Sequence, residues 1–274
     1  MIATHRVRTL DVSAASGLVL RDGVFHVIAD DELALCVFAG DGATRRIGLL
    51  PGELPDAHAE RKARKPDFEI LVDLGDEGLL AIGSGSRQAR ERAVLVARDE
   101  RTTVIDTSPL CAVLRAAFPQ LNLEGGVLRG EELVLLQRGN RGDRRNALVF
   151  IARDDLRRAR ATRRFAPARA PRIVDLELGE HDGVPWSGTD LALLGDGDLL
   201  ASIVLEDTAD AYTDGACLGA ALVRIGADGT LRWHRRLDTA AKVEGIALDG
   251  DDVWLVTDAD DRREPAQLLR ATLS

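Results

Sequence analysis

The stretch KVEGIALDGDDVWLVTDADD, Lys242 to Asp261, decides how this chain folds. Apolar residues alternate with others at Ile246 and Leu248, and again at Val253, Leu255 and Thr257. Alternation with period two marks half-buried strands. Between the two runs stands Asp249-Gly250-Asp251-Asp252, carrying the Asp-Gly signal that tight hairpins favour. The stretch therefore reads as a β-hairpin. Its entrance carries Glu244 beside Gly245. A carboxylate there costs little if it faces water and much if it faces a narrow interior shared with other charges.

Four other segments repeat the pattern: SGLVLRDGVFHVIADD from Ser16, FEILVDLGDEGLLAIGSGS from Phe68, LEGGVLRGEELVLLQRGN from Leu123 and SGTDLALLGDGDLLASIVLED from Ser187. Each is a short apolar strand, an acidic or Gly-containing turn and a second apolar strand. A third strand follows every time (LALCVF, RAVLVAR, NALVFIAR, GAALVRI, AQLLRATL), and most units add a fourth, such as RTTVIDT or TLRWHRRL. Four strands per unit at this spacing describe a β-propeller blade. Between Ser16, Glu69, Glu124, Ser187 and Glu244 the steps are 53, 55, 63 and 57 residues, and the step back to Ser16 through the termini is 46, also blade-sized.

The expectation is an all-β chain forming a single five-bladed propeller, with a six-bladed ring as the structural alternative. The blades fall near residues 15–66, 67–119, 120–183, 184–241, and 242–274 together with 1–14. The last unit has three strands of its own, so His5 to Val12 is expected to supply the fourth, beside Gln267 to Thr272. That would close the ring and remove an exposed edge. Arg153 to Arg169 lacks a steady apolar stripe and reads as a blade connection; Asp56 to Lys65 reads as a similar charged connection with a helical turn or two. Trp186, Trp233 and Trp254 are expected to pack between blades.

Composition bounds the function. The chain has 274 residues, 45% of them hydrophobic, enough for a sizeable core. A formal net charge of −9 argues against a general partner among nucleic acids or anionic membranes. The three cysteines, Cys36, Cys111 and Cys217, are widely spaced, which fits buried thiols in a reducing compartment. The opening MIATHRVRTLDVS has no apolar signal core, and no stretch approaches 18 apolar residues. The expectation is a cytoplasmic monomer.

In a propeller the first strand of each blade lines the central channel. Ser16, Glu69, Glu124, Ser187 and Glu244, all at strand entrances, should then converge on one axis. Three carboxylates in one narrow space repel and lose hydration. A cation resolves the conflict, and calcium suits it, being a hard ion that takes six to eight oxygen ligands. Zinc would want His or Cys, and neither recurs at this register. The plainer alternative is that each Glu caps a strand entrance, exposed or paired with an Arg.

These residues resemble the soluble calcium-activated nucleotidases, or apyrases, which are five-bladed propellers with one channel ligand per blade in the order Ser, Glu, Glu, Ser, Glu. SGLVLRDGVFHVIADDELALCVF, with its acid pair Asp30 and Asp31, looks like that family's first blade. KPDFEILV resembles the second, with Lys65 ahead of Glu69, and VPWSGTD and VEGIAL resemble the fourth and fifth. The resemblance implies a channel calcium and hydrolysis of nucleotides. The chain departs from the family where Glu32 replaces a basic residue after the acid pair, and in lacking long aromatic-rich insertions. Bacterial propellers of unknown function with similar strand entrances are an equally close likeness.

The loops between second and third strands open on the same face as the ring. They are ADDELA, GSGSRQARER, QRGNRGDRRN, EDTADAYTDGA and TDADDRREPA. Arg87, Arg138 and Arg141 in these loops, with Lys65, Lys242, Asp30 and Asp31, are candidates to bind a small anionic ligand, since Arg grips phosphate or carboxylate in bidentate fashion. The plainer reading is solvated loop tips. GSGS is not a P-loop, and DADDRREP is not an EF-hand loop. No Ser-His-Asp or Cys-His arrangement stands out. The functional expectation is a calcium-binding propeller that binds an anionic small molecule at the channel mouth, with hydrolysis of a phosphate ester or anhydride as its chemistry. The alternative is a non-enzymatic scaffold for protein partners, in which the ion only ties the blades together.

Overall fold

A computed structural model describes residues 1–39, 44–207, 215–226 and 228–273. Part of the EDTADAYTDGA loop lies outside the described residues. Five antiparallel sheets stand in a ring, one for each hairpin read from the sequence. Their innermost strands are Ala15–Arg21, Phe68–Asp73, Leu123–Arg129, Val184–Leu193 and Lys242–Asp249. Each lies against the innermost strands of the two neighbouring blades, which closes the channel. The Asp-Gly turn of the deciding stretch is tight: Asp249 pairs with Asp252, and Gly250 takes φ +60°, a left-handed conformation that suits glycine.

Closure occurs as the sequence implies. Thr4–Thr9 pairs antiparallel with Gln267–Thr272 and so becomes the outer strand of blade five. Ile2, Leu10 and Val12 are buried beside it, and Ile2 bridges to Leu237 of blade four. The apolar core is divided into five layers, one between each neighbouring pair of blades. Trp186 is buried between blades three and four, while Trp233 and Trp254 pack against the layers on either side of blade five.

Among the described residues three α-helices stand outside the sheets: two join neighbouring blades, and the third joins the third and fourth strands of blade three. α1, His58–Arg64, falls in the charged segment expected to hold a turn or two. α2, Ser108–Arg115, begins with Ser-Pro and buries Leu110, Cys111 and Leu114. α3, Arg153–Thr162, makes the first part of the connection read at Arg153 to Arg169 helical. Its buried stripe is short, Asp155, Leu156 and Ala159, because the helix only caps the core between blades two and three. No helix among the described residues is long and apolar enough to cross a membrane.

A bulge recurs at one place in every innermost strand. The register shifts between Ala15 and Gly17, Phe68 and Ile70, Leu123 and Gly125, Gly188 and Asp190, and Val243 and Gly245. The residues left unpaired are Ser16, Glu69, Glu124, Thr189 and Glu244. A bulge bends a strand and re-aims one side chain. Gly125 and Gly245 follow two of these bulges, where the backbones of adjacent blades touch. A Cβ on Gly125 would lie 2.6 Å from the Asp190 Cα, and one on Gly245 would lie 3.0 Å from the Leu18 nitrogen.

Removing residues 1–12 should strip blade five of its outer strand and expose the apolar surface beneath. Three buried side chains at about 1.5–3 kcal/mol each amount to roughly 5 kcal/mol or more. At about 2–4 °C per kcal/mol for a chain of this size, the melting temperature should fall by roughly 10 °C or more. An unchanged melting curve would contradict closure by this strand.

Candidate metal and ligand site at the channel mouth

The bulges explain why the ring residues share a level. In blade four, however, the bulged residue is Thr189, two positions past Ser187. Ser187 pairs within the ladder opposite Val204, and it is buried. The two bulge hydroxyls do the same work. Ser16 Oγ donates to the Phe68 carbonyl at 2.6 Å, and Thr189 Oγ1 donates to the Val243 carbonyl at 2.9 Å. Each thus joins its blade to the residue just before the next blade's bulge.

The three glutamates are handled differently. Glu124 and Glu244 are buried, and between them lies Arg138, buried as well. Its guanidinium is 3.2 Å from Glu124 and 3.5 Å from Glu244, and it also pairs with Glu206. Lys242 stands 3.2 Å from Glu244, 3.6 Å from Glu206 and 3.0 Å from Asp260. Arg138, read from sequence as a loop-tip gripping residue, is therefore the central counter-ion of blades three, four and five. Burial pushes the Glu124 carboxyl up to about 8 despite Arg138. Burial works against the Lys242 ammonium, but Glu244, Asp258 and Glu206 outweigh it and hold its pKa well above the ordinary lysine range. Both Glu244 oxygens are buried without a hydrogen bond, because Arg138 and Lys242 come close in charge but not in hydrogen-bond geometry.

Glu69 belongs to another group. One carboxylate oxygen each from Asp30, Asp67 and Glu69 lie within 4.8 Å of one another, the only such trio among the described residues. Backbone bonding places two of them: the Asp67 amide donates to the Asp30 carbonyl at 3.1 Å, which joins blade one to blade two. Asp67 takes φ +54°, a left-handed conformation that Asp tolerates better than most residues. Its carboxylate accepts from Ser84 Oγ at 2.5 Å and Arg90 Nη1 at 2.6 Å, and lies 3.1 Å from Lys65 Nζ. Lys65 also pairs with Asp30. Glu69 is half-buried. Burial, then the charges of Glu124, Asp67 and Asp30, hold its carboxyl well above the usual range. Burial raises Asp30 to about 6, against the pull of Lys65.

The two groups form one electrostatic network. Asp30, Asp67, Glu69, Glu124, Glu206, Glu244, Asp258 and Asp260 are eight carboxylates; Lys65, Arg90, Arg138 and Lys242 are four cations. Oxygen donors in excess of fixed positive charge suit a hard divalent cation. The residues present fit such an ion best at Asp30, Asp67 and Glu69.

Deeper in the channel Asp190 follows the blade-four bulge. Its oxygens accept from the Leu191 amide at 2.7 Å and the Ile246 amide at 2.9 Å. Burial nevertheless raises its carboxyl well above the usual range. Below it the five inner strands turn apolar, from Leu18 and Leu71 to Val127, Leu191 and Ile246, around a hollow of ≈ 200 Å³.

Beside the mouth, between blade one, α1 and blade five, is a cavity of ≈ 320 Å³ lined in part by Asp30, Asp31, Arg61, Lys65 and Asp258. Asp31 is held by Arg61 Nε at 3.1 Å, with Arg262 at 3.6 Å. Of the other predicted ligand contacts, Arg87 and Arg141 are exposed on loops, Arg141 pairing with Asp207 at 2.9 Å; neither lines this cavity. Sequence reasoning missed Asp67, Thr189, Asp190 and Glu206. Asp67 stands just ahead of its strand, Phe68–Asp73, in a left-handed conformation, and strand alternation gave no signal for it.

The model of a family described as "Family of unknown function (DUF6929)" matches residues 11–273. The chain belongs to that family. No curated protein matches it. Among solved structures, it is similar to the glutaminyl cyclase of Myxococcus xanthus at 14% identity and TM-score 0.54, covering 100% of this chain and 98% of that one. It is also similar to a putative glycoside hydrolase from Parabacteroides distasonis, at 9% identity, TM-score 0.54, and 100% and 97% coverage. Identities this low speak for the shared fold alone.

The raised carboxyl of Glu124 has a sign that can be checked in metal-free protein. An acid whose folded pKa lies above its unfolded value binds more protons when folded, so its contribution to stability falls as pH rises from about 4.5 to about 8. His26 and His234, whose pKa values desolvation lowers, act in the opposite sense, so the comparison must be with a variant. From pH 5 to 8, wild type should lose more stability than Glu124→Gln, measured by denaturant unfolding. Parallel profiles would contradict the assignment.

Proposed function

We propose that this chain is a calcium-binding propeller whose channel mouth takes a small molecule with an anionic group. The observation that carries the reading is the convergence of Asp30, Asp67 and Glu69 in a network short of positive charge. Calcium bound there would supply a Lewis acid that polarises a phosphoryl or carboxyl oxygen. The chain's own residues do the rest. Lys65, between Asp30 and Asp67, lines the cavity as well and brings positive charge to an entering anion. Arg90 and Ser84 hold the Asp67 carboxylate in place. The resemblance of the strand entrances to the calcium-activated nucleotidases makes hydrolysis of a phosphate ester or anhydride the reaction to test first.

A second reading has its own observation. Arg138 and Lys242 already bridge the acids of blades three, four and five, which favours a mouth that serves to hold the ring together. In that case the propeller is a scaffold.

Protein stripped with chelator and melted across a calcium titration should gain stability by mass action, about 2.7 kcal/mol at a hundredfold excess over the dissociation constant. Glu69→Gln should shift less at equal calcium, since carboxylate count tunes such sites. The absence of a wild-type shift, with residual metal measured as nil, contradicts calcium binding. Phosphate release from a panel of nucleotides and phosphate esters should require calcium. A calcium-binding protein that releases none favours the scaffold.

A further inference from the structure

Lys65 uses the oxygens that a cation at Asp30, Asp67 and Glu69 would need. Its ammonium pairs with Asp30 Oδ2 and lies 3.1 Å from Asp67 Oδ1. The second Asp67 oxygen, Oδ2, is taken by Ser84 and Arg90. The Glu69 carboxylate, third member of the trio, has no hydrogen bond or ion pair among the described residues. Lys65 also differs from the other cations of the mouth. Arg138 lies between Glu124, Glu206 and Glu244, and Lys242 between Glu206, Glu244, Asp258 and Asp260. Arg90 is buried against Asp67 and Ser86. None of these three lines the cavity of ≈ 320 Å³ beside the mouth, whereas Lys65 does. The Lys65 backbone is fixed where it closes α1, its amide donating to the Arg61 carbonyl at 2.7 Å. Beyond the backbone, the ammonium sits on a flexible four-carbon stem. Rotation of that stem alone carries the charge from the trio to the cavity.

We propose that Lys65 is a tethered competitor for the ion: its ammonium holds the oxygens of Asp30 and Asp67, and a divalent cation binds there by displacing it into the cavity. This rests on the reading of the trio as a calcium site and adds a regulator built into the chain. An ion at about 2.3–2.6 Å from those oxygens and an ammonium paired with the same oxygens repel each other across a short, poorly hydrated gap, so one excludes the other. The displaced ammonium keeps its charge and faces the cavity, the side from which an anion would approach the ion.

The chain has three lysines, Lys62, Lys65 and Lys242, so brief acetylation followed by mass spectrometry reports on each separately. The Lys65 side chain is 14% exposed while paired, and that of Lys242 is 9% exposed. Saturating calcium, compared with chelator, should raise acetylation of Lys65 several-fold and leave Lys62 and Lys242 unchanged. A parallel rise at Lys242 would mark general loosening and count against the exchange. Calorimetry on the stripped full chain gives the second readout. Lys65→Met keeps most of the stem and removes the charge, and it should bind calcium about tenfold tighter than wild type. Loss of a positive charge tightens binding by itself, so the acetylation is what shows that the ammonium moves. Calcium binding by wild type with Lys65 acetylation unchanged, or with equal affinity in the folded variant, overturns the exchange and leaves the calcium reading standing. Calcium binding by Lys65→Met but not by wild type supports Lys65 as the occupant and contradicts the calcium reading. Binding by neither overturns both. Should Lys65→Met fail to fold in chelator, the acetylation of wild type decides alone.

Discussion

The channel mouth depends on one backbone irregularity repeated five times. Each innermost strand is bulged at its entrance, and the bulge turns one side chain towards the axis. A closed ring leaves those side chains no other direction. Where the bulged residue is Ser16 or Thr189, its hydroxyl finds the next blade's carbonyl and the problem is local. Where it is Glu69, Glu124 or Glu244, a charge is carried into a narrow, poorly hydrated space. The surrounding chemistry answers that constraint: Arg138 and Lys242 on one side, Lys65 and Arg90 on the other, and raised carboxyl pKa values where cations run short.

Burial of such a network adds little stability for its size. Desolvation of paired ions offsets much of their attraction. The strength lies in the five apolar layers between blades and in the paired termini. The mouth is free to be specialised because the ring is held elsewhere. This division, stable sheets with variable mouth residues and loops, is why propellers of unrelated function share an outline.

Much of the fold was legible in the sequence because its signals are short-range. The alternation of Val253, Leu255 and Thr257, and the Asp-Gly turn before it, are contained in one hairpin. A last unit with three strands and an N-terminal segment with one gave ring closure directly. Helices α2 and α3 were missed because each packs only a few residues, Leu110, Cys111 and Leu114 or Leu156 and Ala159, too short a stripe to set a period. The site was legible in part. The Ser-Gly-Thr run in blade four offers two hydroxyls two apart, and only the register distinguishes Thr189 from Ser187. Glu206 and Asp67 are far from each other in sequence, and ring geometry alone brings them to one mouth. Arg138 looked like a surface loop residue because nothing local says that a loop folds inwards.

The central claim is that the excess of carboxylates at the mouth is met by a divalent cation at Asp30, Asp67 and Glu69. Crystals grown with calcium and measured for anomalous scattering test it most directly. One peak is expected at about 2.3–2.6 Å from carboxylate oxygens of that trio. Crystals at saturating calcium with no peak there, and with Lys65 still closed on Asp30 and Asp67, would contradict it.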